Sequence, residues 1–291
     1  MISKLKHCCV IAMVASLLTA GSALGQGISF STVALTGDPA PGTDPNVVYS
    51  GFSPPVLNGA GQTAFIGSLT GPGVDLTNDR GIWSEGGGSL SLIAREGDSA
   101  PGTDPNVVYS GFSPPVLNGA GQTAFIGSLT GTGVVFANET GIWSEGSGSL
   151  SLIARDGDAA PGAGPGVAFD GLGGNRGDLS FNEAGQTAFT GLLTGPGIDL
   201  SNNNGIWLGG TGSLALIART GDPAPDTEPG VVYTDISPNS DAPLNAAGQT
   251  AFLGGTTTVF GIWSGGSGSL GLVVRGGDPA PGTGRAWCTA P

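Results

Sequence analysis

The pattern Asn-x-x-Gly-Gln-Thr-Ala-Phe begins at Asn58, Asn118, Asn182 and Asn245. Each copy is followed by Gly-Ile-Trp, ending at Trp83, Trp143, Trp207 and Trp263. A run of the type "SLSLIAR" then leads to a Gly-Asp pair at Asp98, Asp158, Asp222 and Asp278. An earlier Gly-Asp stands at Asp38, so successive aspartates are 60, 60, 64 and 56 residues apart. Ala40 to Gly71 is identical, letter for letter, to Ala100 to Gly131. A fixed period of this kind means that each copy is one supersecondary unit whose apolar face is covered by its neighbours.

Each unit reads as all-β. In the first, Gln62 to Leu69, Gly81 to Ser84 and Ser89 to Arg95 read as strands, and Pro55 to Leu57 as a short one. The "NGAG" turn suits a tight antiparallel connection, because Asn and Gly accept left-handed backbone angles at little cost. "GDPAPG" reads as a stiff connector, since proline fixes its own φ and restricts the residue before it. Glycine is 56 of 291 residues and leaves no run long enough for a helix after the N-terminus. A unit of this size cannot bury its own sheet. The expected fold is therefore a β-propeller-like ring or open arc of about four four-stranded blades; a linear β-solenoid is the alternative. The units span about 37–96, 97–156, 157–220 and 221–276 of a repeat domain at 26–284. A surplus strand is expected at 29–35 and a tail at 285–291. A ring left open would expose strand edges, which predicts self-association.

Residues 1–25 have the layout of a secretory signal peptide. Lys4, Lys6 and His7 precede an apolar run from Val10 to Ala20, and the small residues Gly21, Ala23 and Gly25 follow. A run of eleven residues is too short to span a bilayer, so no transmembrane anchor is expected in the mature chain. Export places the protein outside the cell, at its surface or in the periplasm. Cleavage also removes the only histidine and both lysines, and leaves Cys288 as the single cysteine. No intramolecular disulfide can form, so packing and hydrogen bonds must hold the fold. Seven arginines then face twenty-two carboxylates, a formal balance of −15. Such a surface repels phosphate backbones, which argues against nucleic acid as a partner.

The copies "NGAGQTAF", "NEAGQTAF" and "NAAGQTAF", with "GIW" and "LIAR" before Gly-Asp, resemble a bacterial family of exported tandem-repeat proteins. That family carries Asn-x-x-Gly-x-x-Ala-Phe repeats and varied C-terminal anchors. The resemblance runs from about Ser29 to Gly284. More distantly, the unit is similar to the blade of TolB-like propellers. What this implies is an exported, often surface-attached protein, with no catalytic set to carry over. The sequence after Gly284, "RAWCTAP", lacks the apolar helix and basic cluster of an anchored tail.

Without a mature histidine, acid–base chemistry would fall to carboxylates, and no catalytic residue is assigned. The periodic aspartates are expected to accept hydrogen bonds from their own turns, and Arg95, Arg155, Arg219 and Arg275 to pair with them. "DLTND" offers hard oxygen ligands at Asp75, Asn78 and Asp79, where a calcium ion is the one cofactor to consider. The third unit departs most from the pattern, so Asp170, Arg176 and Asp178 form a candidate ligand site. Phe65, Trp83, Phe125, Trp143, Phe189, Trp207, Phe252 and Trp263 are assigned to the repeat core. The expected function is a non-catalytic binding or scaffold protein for a protein or glycan. The alternatives are an extracellular glycan hydrolase using carboxylates and a purely structural, self-assembling envelope or matrix protein.

Overall fold

Alternation along "TAFIGSL" puts Ala64 and Ile66 on one side of a strand and Phe65 and Leu69 on the other. A computed structural model of the chain, which describes residues 31–173, 179–237 and 243–282, builds one antiparallel sheet per repeat on this pattern. Contacts divide the chain into Met1–Val33 and Ala34–Pro291, and all the sheets lie in the second part. The first sheet comprises β1 (Val48–Phe52), β2 (Val56–Leu57), β3 (Thr63–Thr70), β4 (Arg80–Ser84) and β5 (Ser91–Arg95). The second comprises β6 (Val107–Phe112), β7 (Val116–Leu117), β8 (Thr123–Gly131), β9 (Thr140–Ser144) and β10 (Ser151–Arg155). The third comprises β11 (Ala168–Leu172), β12 (Leu179–Phe181), β13 (Thr187–Thr194), β14 (Asn204–Gly209) and β15 (Ala215–Arg219). The fourth comprises β16 (Tyr233–Ser237), β17 (Thr250–Thr256), β18 (Phe260–Gly265) and β19 (Gly271–Arg275). The protein is all-β: four sheets of like topology, none closed into a barrel.

Within the first sheet the order is β1-β3-β4-β5, and β2 pairs with the same edge of β3 as β1 does. Strand β1 was not expected from the sequence. Its register shifts between Tyr49 and Gly51, and that bulge breaks the alternation by which a strand is recognised. The N-terminal strand expected at 29–35 also differs: its described part, 31–35, joins no ladder. The residues it aligns with, 91–95, are held by β4 of their own sheet.

The Gly-Ile-Trp motif has a steric cause. Phe65 pairs across the ladder with Trp83, and Gly67 with Gly81. The indole of Trp83 lies over both glycines, and a Cβ at either would come within 2.9 Å of it. Phe65 stacks on Trp83 at a centroid distance of 6.4 Å, and Tyr49 meets the indole edge-on at 4.9 Å. The indole N–H donates to the Pro41 carbonyl at 2.9 Å, so the "GDPAPG" loop closes over the aromatic face of its own sheet. The other units repeat this bond with Pro101, Pro161 and Pro225.

Successive sheets pack face to face. Ile66, Ile82 and Ala94 of the first sheet share a core with Tyr109, Phe125, Leu129 and Trp143 of the second. Ala124, Ile126, Ile142 and Ala154 meet Phe169, Phe189, Leu193 and Trp207 in the same way. Ala188, Ile206 and Ala218 meet Tyr233, Phe252 and Trp263. Each seam thus sets a small aliphatic face against the aromatic face of the next sheet. Truncating one of these buried rings to alanine costs about 3–5 kcal/mol.

Candidate functional site

The residue after each periodic arginine is Glu96, Asp156, Thr220 and Gly276 in turn. It sits just past the last strand, and its N–H continues the ladder: Glu96 N–H donates to the Arg80 carbonyl and Asp156 N–H to the Thr140 carbonyl. Both side chains are buried at the seam with the following sheet. Burial pushes the Glu96 carboxyl up to about 7, helped by the adjacent Asp79 carboxylate and a hydrogen bond between the two acids, while Arg80 opposes. Burial likewise raises Asp156 to about 6; a hydrogen bond from Thr140 opposes the shift, and the nearby charge of Asp170 adds to it. A buried carboxyl raised toward neutral pH marks a candidate site. It can hold or release a proton. The direct contact between Glu96 and Asp79 leaves no place for a sugar between them, whereas glycoside cleavage uses carboxyls about 5 Å or more apart.

The sequence-derived sites are divided by this arrangement. Asp75 and Asn78 lie in one exposed turn. The Oδ1 of Asp75 accepts from the Thr77 N–H at 2.8 Å and its hydroxyl at 2.6 Å. Those bonds hold its carboxyl below the usual range. Asn78 Oδ1 accepts from the Asp75 N–H at 2.9 Å, and Asn78 Nδ2 donates to the Gly73 carbonyl at 3.0 Å. The second unit closes the same turn with Val135 and Asn138 and no carboxylate. Asp79 turns away from this loop to Glu96. Among the described residues, no three acidic, histidine or cysteine side chains gather as a cation cluster. Asp170 is exposed on β11 and faces Asp156 across a seam; Arg176 and Asp178 lie outside the described residues.

All four described motif tryptophans are fully buried, with their N–H groups engaged by proline carbonyls. They offer no face to a ligand. Arg219 pairs with Asp222 at 2.8 Å and Arg275 with Asp278 at 3.1 Å. The first two units differ: Arg95 Nε donates to the Asn78 carbonyl and Arg155 Nε to that of Asn138, both at 2.8 Å. The Asp38 and Asp278 carboxylates accept from main-chain N–H groups three residues earlier.

The largest departure from the repeat is at the fourth sheet. Ile262 is 42% exposed and Val274 38%, whereas Ile82, Ile142 and Ile206 at the first position are fully buried. A cavity of about 400 Å³ in the same unit is lined by Glu228, Val231, Val259, Arg275 and Asp278 among others, and neither Ile262 nor Val274 lines it. Sequence reasoning missed both this face and the Glu96–Asp79 pair. The signal for the pair was present: one periodic position reads Glu, Asp, Thr and Gly between invariant neighbours.

Comparison with known proteins adds a family and little else. Residues 12–134, 100–209 and 126–289 match the model of a family of unknown function, DUF7453. No curated protein matches the chain. A solved structure, described as a hypothetical protein from Leishmania major, aligns at 12% identity. The alignment covers 85% of this chain and 74% of that one, with a TM-score of 0.25, too low to carry an argument about fold.

Proposed function

We propose, for a chain that belongs to DUF7453, that it is an exported, non-catalytic scaffold presenting its repeats to a protein or glycan partner. The observation that supports this is where the repeated side chains go. The Asn amides donate to the Gln side chain of their own turn and to the main-chain carbonyl of the next motif Asn, the Gln amide donates to the Gly86 carbonyl, and the Trp indole donates to a proline carbonyl. The repeat motifs therefore build the stack, and the exposed loops are left to vary. Export rests on the leader-like residues 1–25. The protein recovered outside the cytoplasm of an expressing bacterium should begin near Gln26 by mass spectrometry.

A hydrolase acting on extracellular glycans is the second reading, supported by the near-neutral carboxyl of Glu96, and it requires Asp79 to part from Glu96 to admit the sugar. One experiment separates the two. The purified chain is incubated with a panel of bacterial and plant polysaccharides, and new reducing ends are measured together with binding. Binding without cleavage is the scaffold's expected result. Cleavage that Glu96→Gln abolishes, with folding intact, would replace the scaffold by an enzyme.

A further inference from the structure

We infer that the uncovered face of the fourth sheet is a docking surface for the first sheet of a second copy of this chain. The inference rests on the scaffold reading and names its partner. The three internal seams supply the template. In each, an aliphatic face meets the aromatic face of the sheet that follows. The fourth sheet carries the same aliphatic face: Leu253, Ile262 and Val274 stand where Ile66, Ile82 and Ala94 stand in the first. Nothing among the described residues covers Ile262 and Val274.

The complementary face is on the same chain. Tyr49, Phe65, Trp83 and Leu69 form the aromatic face of the first sheet; they are buried among residues of their own unit and Ala34, and no other sheet among the described residues contributes to their cluster. Phe52 is left 41% exposed, although its counterpart Phe112 packs into the first seam. Phe52 continues the aromatic surface, with ring centroids 5.1 Å from Tyr49 and 5.4 Å from Phe65.

Hydrogen bonding is unfinished in the same sense. At each seam the motif asparagine donates its amide to the main-chain carbonyl of the next motif asparagine. Among the described residues, Asn245 Nδ2 donates only within its own turn, to Gln249 Oε1. Among the described residues, the Asn58 carbonyl accepts only from Gly61 N–H. One end therefore presents the donor and the aliphatic face, and the other presents the acceptor and the aromatic face. That polarity fits a head-to-tail, heterologous contact, which continues into a ring or a filament. It does not fit a symmetric pairing of like ends.

The test is sedimentation of the purified chain over a dilution series, with Ile262→Glu and Phe52→Glu each altering one end. Both positions are exposed, and buried-tryptophan fluorescence checks that each variant folds. The wild type should form species larger than one chain that grow with concentration. Each variant alone should stay a single chain, since every contact needs one intact face of each kind, and an equimolar mixture of the two should form dimers, and nothing larger, through their unaltered ends. Val274→Glu should reproduce Ile262→Glu. A wild type of single-chain mass at every concentration overturns the inference, and so does a chain whose own ends meet. Assembly unchanged in all three variants also overturns it, in favour of strand-edge pairing. Because the readout is mass, failure here is distinct from failure of the scaffold reading, which the polysaccharide assay decides.

Discussion

The side-chain amide of Asn58 donates to the main-chain carbonyl of Asn118, one full repeat away, at 2.8 Å. Asn118 reaches Asn182 at 2.8 Å, and Asn182 reaches Asn245 at 2.9 Å. In each turn the same side chain also accepts from the glutamine N–H four residues on. One residue type thus closes a turn and joins that turn to its neighbour.

Removing it should loosen both. Asn118 is buried, and Asn118→Ala leaves the Gln122 N–H and the Asn182 carbonyl each short of a partner. A loss of about 1–3 kcal/mol is expected in urea unfolding. Asn118→Asp keeps the acceptor for Gln122 but replaces the donor with a charge facing a carbonyl. It should cost at least as much, and the difference between the two variants should narrow at acidic pH.

Trp143 and Gly141 should be coupled. A Cβ at Gly141 would lie 2.6 Å from the indole of Trp143, so Gly141→Ala alone should destabilise by about 1–3 kcal/mol. Trp143→Phe removes the indole ring and its bond to the Pro101 carbonyl, and should cost a few kcal/mol by itself. In combination the second change relieves the clash of the first, so the double variant should be more stable than additivity predicts. A double-mutant cycle in denaturant measures the interaction.

Tyr109→Phe should be neutral or stabilising by up to about 1 kcal/mol. Among the described residues, the hydroxyls of Tyr49, Tyr109 and Tyr233 are buried without a hydrogen-bond partner, and burial raises all three above the usual tyrosine range. The third unit has Phe169 at this place, packed on Trp207 at 4.9 Å as Tyr109 is on Trp143. A thermal shift comparison decides it; a clear drop in Tm would mean that the hydroxyls have a partner in solution.

Stability should fall from mildly acidic to neutral pH through Glu96 and Asp156. Both carboxyls are raised in the folded state, to about 7 from 4.5 and to about 6 from 3.8. Their contribution is complete below the unfolded values and is lost as pH rises through the folded ones. The window is therefore about pH 4.5 to 7 for Glu96 and about pH 4 to 6 for Asp156. Glu96→Gln and Asp156→Asn should flatten the dependence of Tm on pH in those windows. An unchanged slope in both variants would place the dependence elsewhere on this acidic surface.

Much of the architecture was legible in the letters. Phe65 and Trp83 could be assigned to the core because alternation and turn residues act over a few positions, and local backbone geometry decides which face a side chain takes. Strand β1 was hidden because the bulge between Tyr49 and Gly51 interrupts that alternation. The acid pair was hidden because Asp79 and Glu96 lie seventeen positions apart, at the outer ends of two paired strands.

By itself, the sequence determined that this chain is a tandem of β units, where the turns fall and which rings are buried, since these follow from short-range periodicity. Only the tertiary structure decided which face meets which, why glycine must lie beneath each tryptophan, and that Asn58 bonds to Asn118. Those contacts join residues tens of positions apart. Their energies depend on desolvation and steric fit between whole sheets, which no local pattern encodes. The same fit leaves Ile262 uncovered at one end and Phe52 at the other.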